Sequence, residues 1–227
     1  MKHLFSVTPI LLLGVIPGAS NMINACGTTP VEVCDNGRDD DGDGFTDCSD
    51  TECSGGTDVI LSEIQHHPTK VKDESGEYVE LMNVGDKCAD ISGWSINEDS
   101  GLPVTLLPGG SVVPPGALYV IAGAFYPDEN CGVYAKATWK YDSTLNDTGC
   151  DTITLKDRSG VQINKVTYCT GSNGWGTCPD GAALEYCGEP SITANGTAAS
   201  WVCATTTYGC GDKGTPAAAS MCPVASR

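Results

Sequence analysis

GEYVELMNVGDKCADISGW, from Gly76 to Trp94, is the stretch that decides how the whole chain is read. Tyr78, Glu80 and Met82 alternate with Val79, Leu81 and Asn83. That is the period-two pattern of a β-strand, written in residues that favour strands. Val84-Gly85-Asp86 supplies turn chemistry, and a second short run closes at Gly93-Trp94. A chain that advances in such short pieces stacks strands into layers and leaves chemical specificity to its loops.

The pattern continues on both sides. Asp58 to Gln65 (DVILSEIQ) is expected as the preceding strand, followed by a polar loop through His66, His67 and Pro68. Leu102 to Leu107 and Ser111 to Val113 flank a Pro-Gly-Gly turn. Ala117 to Ala122 is the most apolar strand, introduced by Pro114-Pro115-Gly116. Asp151 to Lys156 and Val161 to Tyr168 bracket Asp157-Arg158-Ser159-Gly160, a hairpin signal. With 28 glycines, 13 prolines and no sustained helical periodicity, the chain is predicted to be all-β, an antiparallel β-sandwich.

The 227 residues can bury one substantial core, or one domain with a small appendage. The formal charge of −17 makes a sequence-independent grip on nucleic acid or on an anionic membrane surface unfavourable. About half of that charge sits in residues 32–52, where Glu32, Asp35, Asp39, Asp40, Asp41, Asp43, Asp47, Asp50 and Glu52 face Arg38 alone.

Within that segment, Asp39, Asp41 and Asp43 take positions 1, 3 and 5 of a twelve-residue calcium loop. Gly44 falls at position 6, the Phe45 carbonyl at 7, Asp47 at 9 and Asp50 at 12. Alternating carboxylates in a tight loop can converge on a hard cation, and they repel one another without it. Asp50 stands where an EF-hand has glutamate, and no amphipathic helix flanks the loop. The DxDxDGxxDxxD pattern with nearby cysteines instead resembles the aspartate-rich repeats of thrombospondins and short calcium modules of secreted bacterial proteins. That resemblance implies Ca²⁺ as a structural ion, with extracellular affinities of about 10⁻⁴–10⁻³ M. The competing reading is a solvated acidic linker.

Thirteen cysteines point to an oxidising compartment. None forms a CxxC pair and no histidine lies near a cysteine cluster, which sets zinc and redox readings aside. Lys2 precedes an apolar run from Leu4 to Ile16, too short to span a bilayer, so residues 1–25 read as a secretory signal. Ile23-Asn24-Ala25-Cys26-Gly27 resembles a bacterial lipobox, which implies that Cys26 becomes the lipidated mature N-terminus. The chain would then cross the inner membrane and be held at the outer membrane or cell surface. Cleavage after Ser20 is the alternative; it gives a freely secreted protein with Cys26 free or paired.

With Cys26 lipidated, Cys34, Cys48, Cys53, Cys88, Cys131, Cys150, Cys169, Cys178, Cys187, Cys203, Cys210 and Cys222 are enough for six disulfides. Spacing does not give connectivity, although Cys169 with Cys178 and Cys203 with Cys210 are near enough to close small loops. Ser54-Gly55-Gly56 is the expected boundary between a stalk, residues 26–56, and a sandwich, 57–222, with a tail at 223–227.

Across most of residues 57–220 the sequence resembles the lamin-tail domain family. Ile60-Leu61-Ser62-Glu63-Ile64 looks like the family's opening strand, and Glu77 to Asn83 like its E-[WY]-[IV]-E-L-x-N signature. Asp90-Ile91-Ser92-Gly93-Trp94 is similar to its D-L-S-G-W run. Thr152 to Gly160, Gly181 to Tyr186 (GAALEY), Ser200-Trp201 and Gly214-Thr215-Pro216 follow in order. Ala217 departs from the pattern, since relatives often have glycine after the Thr-Pro. The resemblance implies an immunoglobulin-like sandwich.

No GxSxG, HExxH or P-loop is present. His66 and His67 are adjacent, and neighbouring strand residues face opposite ways, so joint chelation requires a sharp turn. Glu77 and Glu80 lie three apart, also on opposite faces. Trp94 and Trp201 are expected in the core, and Glu80 and Asn83 as hydrogen-bonding strand and turn residues. Trp175, in GSNGWG (Gly171 to Gly176), is either packed or an exposed ligand contact. Asn146-Asp147-Thr148 and Asn195-Gly196-Thr197 match the glycosylation sequon. The expectation is a non-enzymatic, calcium-stabilised surface module with a membrane anchor and an envelope protein or glycan partner. The alternative is a hydrolase, or its accessory module, acting on polysaccharide or extracellular DNA.

Overall fold

The computed structural model describes residues 30–98, 104–139 and 145–222. The expected signal, Cys26, Leu102 and the 223–227 tail lie outside the described residues. The chain divides into Met1–Pro30 and a compact unit, Val31–Arg227, and the second is described below.

Its strands are β1 (Val59–Gln65), β2 (Tyr78–Asn83), β3 (Ala89–Asp90), β4 (Ser95–Glu98), β5 (Thr105–Leu106) and β6 (Val112–Val113). They continue with β7 (Leu118–Ala122), β8 (Ala137–Thr138), β9 (Cys150–Lys156), β10 (Gln162–Cys169), β11 (Leu184–Tyr186) and β12 (Trp201–Cys203). One helical turn, α1 (Asp73–Gly76), stands between β1 and β2. β12-β11-β1-β2-β7-β8 form one sheet, β10-β9-β4-β5 a second and β3-β6 a small third. Every pairing is antiparallel except β7 with β8, which run parallel. The fold is therefore the all-β, immunoglobulin-like sandwich expected, with one parallel edge. Among the described residues no helix is long and apolar enough to cross a membrane.

Val79 and Leu81 of β2 enter the inter-sheet core with Ile60, Ile64, Ile121, Ile153, Leu155, Val166 and the tryptophans Trp94 and Trp201. Trp175 is packed as well, its ring centroid 5.9 Å from that of Trp201. The opposite face of β2 is not open to water. Tyr78 packs there with Val120, Ala122, Val133 and Tyr208, and the segment through Thr215 and Ala217 lies over Glu63 and Glu80. All seven residues of β1 are buried for the same reason.

The β1–β2 register shifts between Leu61 and Glu63, and the β10–β9 register between Gln162 and Asn164. Such irregularities leave backbone groups without ladder partners. Here side chains replace them: the Leu61 N–H donates to Asn164 Oδ1 at 3.1 Å, and Asn195 Nδ2 donates to the Leu61 carbonyl at 3.0 Å.

Six disulfides engage all twelve cysteines after Cys26: Cys34–Cys53, Cys48–Cys88, Cys131–Cys210, Cys150–Cys169, Cys178–Cys203 and Cys187–Cys222. The short-loop pairings of Cys169 with Cys178 and Cys203 with Cys210 do not form. Cys169 sits directly across from Cys150 in the β9–β10 hairpin, so strand register, not closeness in sequence, selects its partner. Cys48–Cys88 and the hydrogen bonds Cys88 N to Cys53 O (2.7 Å) and Gly56 N to Cys88 O (3.0 Å) bind the acidic segment onto the loop before β3. Residues 31–56 thus belong to the same compact unit as the strands.

Candidate functional site

The acidic loop is shaped by glycines and by its own carboxylates. Gly42 and Gly44 adopt φ values of +82° and +96°, a region that admits glycine without strain. Asp39 accepts the N–H groups of Gly42 (2.6 Å) and Gly44 (3.0 Å), Asp41 that of Asp43 (3.0 Å), and Asp43 that of Phe45 (2.8 Å). Glycine at position 6 is thereby placed where the aligned calcium loop needs its turn.

The aligned residues do not all converge. Oxygens of Asp41, Asp43 and Asp50 lie within 4.8 Å of one another, and so do oxygens of Asp39, Asp41 and Glu32. Asp41 is common to both groups. Asp47 is spent differently: its carboxylate accepts the N–H groups of Asn36 and Gly37 and holds the preceding turn. Phe45 exposes its ring to solvent. Glu32, absent from the twelve-residue alignment, is buried and accepts the N–H groups of Asp40 and Asp47, each at 2.8 Å. A partner seven residues before the motif can be found only by following the Cys34–Cys53 closure in space.

Asp50 is the informative member. It is 2% exposed; its Oδ1 accepts the Glu52 N–H, and its Oδ2 is buried without a hydrogen-bond partner. A buried carboxylate oxygen without a donor carries a desolvation cost, which a cation shared with Asp41 and Asp43 would remove. The Asp43 N–H pulls the Asp41 carboxyl down, but burial and the charges of Asp43, Asp50 and Asp39 outweigh it and raise the group above its ordinary value. Mutual repulsion of this kind is relieved by Ca²⁺, whose six to eight oxygen ligands match this donor set.

A second acidic constellation gathers the sequence motifs. Glu63 of β1 stands opposite Glu185 of β11 on one side and Glu80 of β2 on the other. All three are sealed from solvent. Thr215 donates its N–H to Glu63 (2.8 Å) and its hydroxyl to Glu63 (3.2 Å) and Glu185 (3.1 Å). Tyr78 donates its hydroxyl to Glu63, and Ser62 and the Ala217 N–H donate to Glu80 at 3.0 and 2.7 Å. Burial pushes Glu63 up to about 7 and Glu80 up to about 8 against these donors, and Glu185 is also raised by burial. The ladder therefore clasps the C-terminal segment. A cleft of about 270 Å³ lined by Ser62, Glu80, Tyr186, Cys187 and Cys222 adjoins it.

Asn83 acts as expected, donating to the Lys87 and Val113 carbonyls and accepting the Gly85 N–H. His66 is buried against Tyr168, ring centroids 5.0 Å apart, whereas His67 faces Asp147 and Asp180. The two histidines do not converge. Asn195 is 1% exposed, so its sequon offers no accessible acceptor.

No curated protein matches the chain. The family model for the Lamin Tail Domain matches residues 53–170, from the cysteine that closes the acidic loop to the end of β10. The match is shorter than the resemblance traced to residue 220, leaving β11, β12 and the clasped segment outside it. With more than half of the chain matched, and with the immunoglobulin-like sandwich in place around the Glu77–Asn83 signature, the chain belongs to the lamin tail domain family.

Proposed function

We propose that this protein is a secreted, calcium-stabilised binding or structural module of the bacterial envelope, held there by lipid on Cys26. The observation that carries the calcium reading is Asp50, whose carboxylate groups with those of Asp41 and Asp43 and holds a buried oxygen without a donor. The anchor rests on the sequence around Cys26, and on the twelve other cysteines all being engaged with one another. Calcium bound between Glu32, Asp39, Asp41, Asp43 and Asp50 would stiffen the segment that joins anchor to sandwich. That is a mechanical role and involves no turnover.

A glycan or envelope protein would be met by the loop between β7 and β8. Phe125, Tyr126 and Tyr134 are 56, 62 and 74% exposed there, on a backbone tied by Cys131–Cys210 and by Asn130, which bonds the Ala124 and Val133 carbonyls. Exposed aromatics on a rigid loop contribute binding area at little entropic cost.

Calorimetric titration of the disulfide-bonded protein with CaCl₂ tests the reading. Uptake at or below millimolar calcium is expected, with a stoichiometry that falls by the loop's ion when Asp41 and Asp43 are both replaced by Asn. Uptake that is unchanged in that variant sinks it. Intact mass of protein from its own membranes tests the anchor, which predicts diacylglycerol on an N-terminal Cys26.

A further inference from the structure

At the start of β2 lies a third group of carboxylates, of which only Glu77 belongs to the family signature. Asp73 opens α1, Glu77 follows α1 directly, and Asp147 sits on the loop that leads into β9. An oxygen of each lies within 4.8 Å of an oxygen of the other two. The three come from two stretches of chain seventy residues apart, so the fold, not local spacing, assembles them.

Two of the carboxylates carry buried oxygens without donors. Glu77 is wholly buried; its Oε1 accepts the Leu145 N–H at 2.8 Å, which fixes the side chain, and its Oε2 has no hydrogen-bond partner. Asp147 Oδ1 is likewise buried and unpartnered, while its Oδ2 lies 3.9 Å from His67 Nε2. The buried polar groups of a folded protein are almost always satisfied. Two such exceptions side by side in an acidic cluster therefore call for something with positive charge.

Little of it comes from the described residues. Among the described residues, the ion pair with His67 is the one that reaches this cluster. His66, close by, is lowered by burial and so is a neutral imidazole at pH 7. Asp151 adds a further carboxylate, already satisfied by the N–H groups of Thr152 and Asn146.

We propose that Asp73, Glu77 and Asp147 form a second cation site, distinct from the acidic loop, that takes Ca²⁺. Oxygen-only donors select a hard ion over zinc. Ca²⁺ accepts irregular sets of six to eight oxygens, whereas Mg²⁺ demands near-ideal octahedral placement, so three carboxylates fixed by separate stretches of chain suit the larger ion. The partly exposed Asp73 and Asp147 leave one side for water ligands. The ion would join α1, the start of β2 and the entry to β9. Burial and the neighbouring charge of Asp73 push Glu77 up to about 10, so a proton shared between Glu77 and its neighbours is the competing way to neutralise the cluster.

The test uses the full, disulfide-bonded chain with Asp41→Asn and Asp43→Asn to silence the loop. Calorimetry with CaCl₂ should still count one ion per chain. Glu77→Gln keeps the Leu145 bond, and Asp147→Asn changes a partly exposed group; each added to the silenced chain should weaken that binding at least tenfold while far-UV circular dichroism stays unchanged. Absence of any binding to 10 mM CaCl₂ in the silenced chain overturns the site in favour of the shared proton. So does binding that survives Glu77→Gln. Tighter binding of ZnCl₂ than CaCl₂, lost with His67→Ala, overturns the assignment to a hard cation. Failure of the loop reading shows separately, as equal ion counts in the wild type and the silenced chain.

Discussion

Asn164 and Asn195 hold each other's carboxamides in two reciprocal hydrogen bonds, of 2.9 and 2.8 Å, in the interior between β1 and β10. Asn164 Oδ1 also accepts the Leu61 N–H and Asn195 Nδ2 also donates to the Leu61 carbonyl, the two groups freed by the register shift in β1. Asn164→Ala strands the Leu61 N–H and half of Asn195. Urea unfolding should show a loss of about 1–3 kcal/mol, and a double-mutant cycle with Asn195→Ala should give coupling above ~0.5 kcal/mol. Additive losses would show that the pair does not act as a unit. The same burial predicts that expression in a glycosylating host leaves Asn195 unmodified, which peptide mapping would reveal.

The glutamate ladder sets a pH dependence of definite sign. Unfolded, Glu63 and Glu80 release their protons near 4.5; folded, they hold them to about 7 and about 8. Glu185 and the Tyr78 and Thr215 donors face them, and among the described residues no lysine or arginine is a hydrogen-bond partner of either. The folded state binds more protons across that window, so this contribution is complete below pH 4.5 and declines as pH rises to about 8. Tm at pH 5 should exceed Tm at pH 8 by at least ~5 °C, given ~2–4 °C per kcal/mol in a chain of this size. Glu80→Gln should flatten the slope. A Tm that rises over this range would contradict the ladder's electrostatics.

Ala217 takes φ +61° while its N–H holds Glu80. A left-handed alanine is strained, whereas glycine takes that conformation freely. Ala217→Gly should stabilise by about 0.5–1 kcal/mol, read as a higher urea midpoint at unchanged slope. Gly214 shows the opposite constraint. A Cβ there would run into the Tyr78 hydroxyl and the Glu63 carboxylate, so Gly214→Ala should cost about 1–3 kcal/mol.

Cys48–Cys88 fixes the acidic loop to the sandwich. Replacing both cysteines by serine should lower stability by about 2–4 kcal/mol and weaken calcium uptake at the loop, because Asp50 is two residues from the lost anchor. Unaltered calcium affinity would mean that Cys34–Cys53 alone shapes the site.

Much of this architecture is legible in the chain, and the reason is local. Alternation in Tyr78–Asn83, the Asp157–Gly160 turn and the apolar Leu118–Ala122 run each state their conformation within a few residues. β4, β8 and β12 do not, being too short for a period to show. Sites built from distant segments are the harder class. Glu63, Glu80 and Glu185 read as ordinary strand acids until β11-β1-β2 is known to be the strand order. Asp73 and Asp147 carry no shared spacing, and Glu32 precedes the motif it supports. The cysteines fail for the same reason: Cys150 and Cys169 meet because two strands are in register, which a count of intervening residues does not express.

The clasp on the six-stranded sheet also sets an order of events. Glu63 waits for Thr215, 152 residues later, and Cys131 and Cys187 wait for Cys210 and Cys222. A chain made N-terminus first therefore carries unpaired thiols and three uncapped glutamates until residues 210–222 are present. The clasp and the last two bridges therefore close late, on a chain whose strands are already made through residue 222.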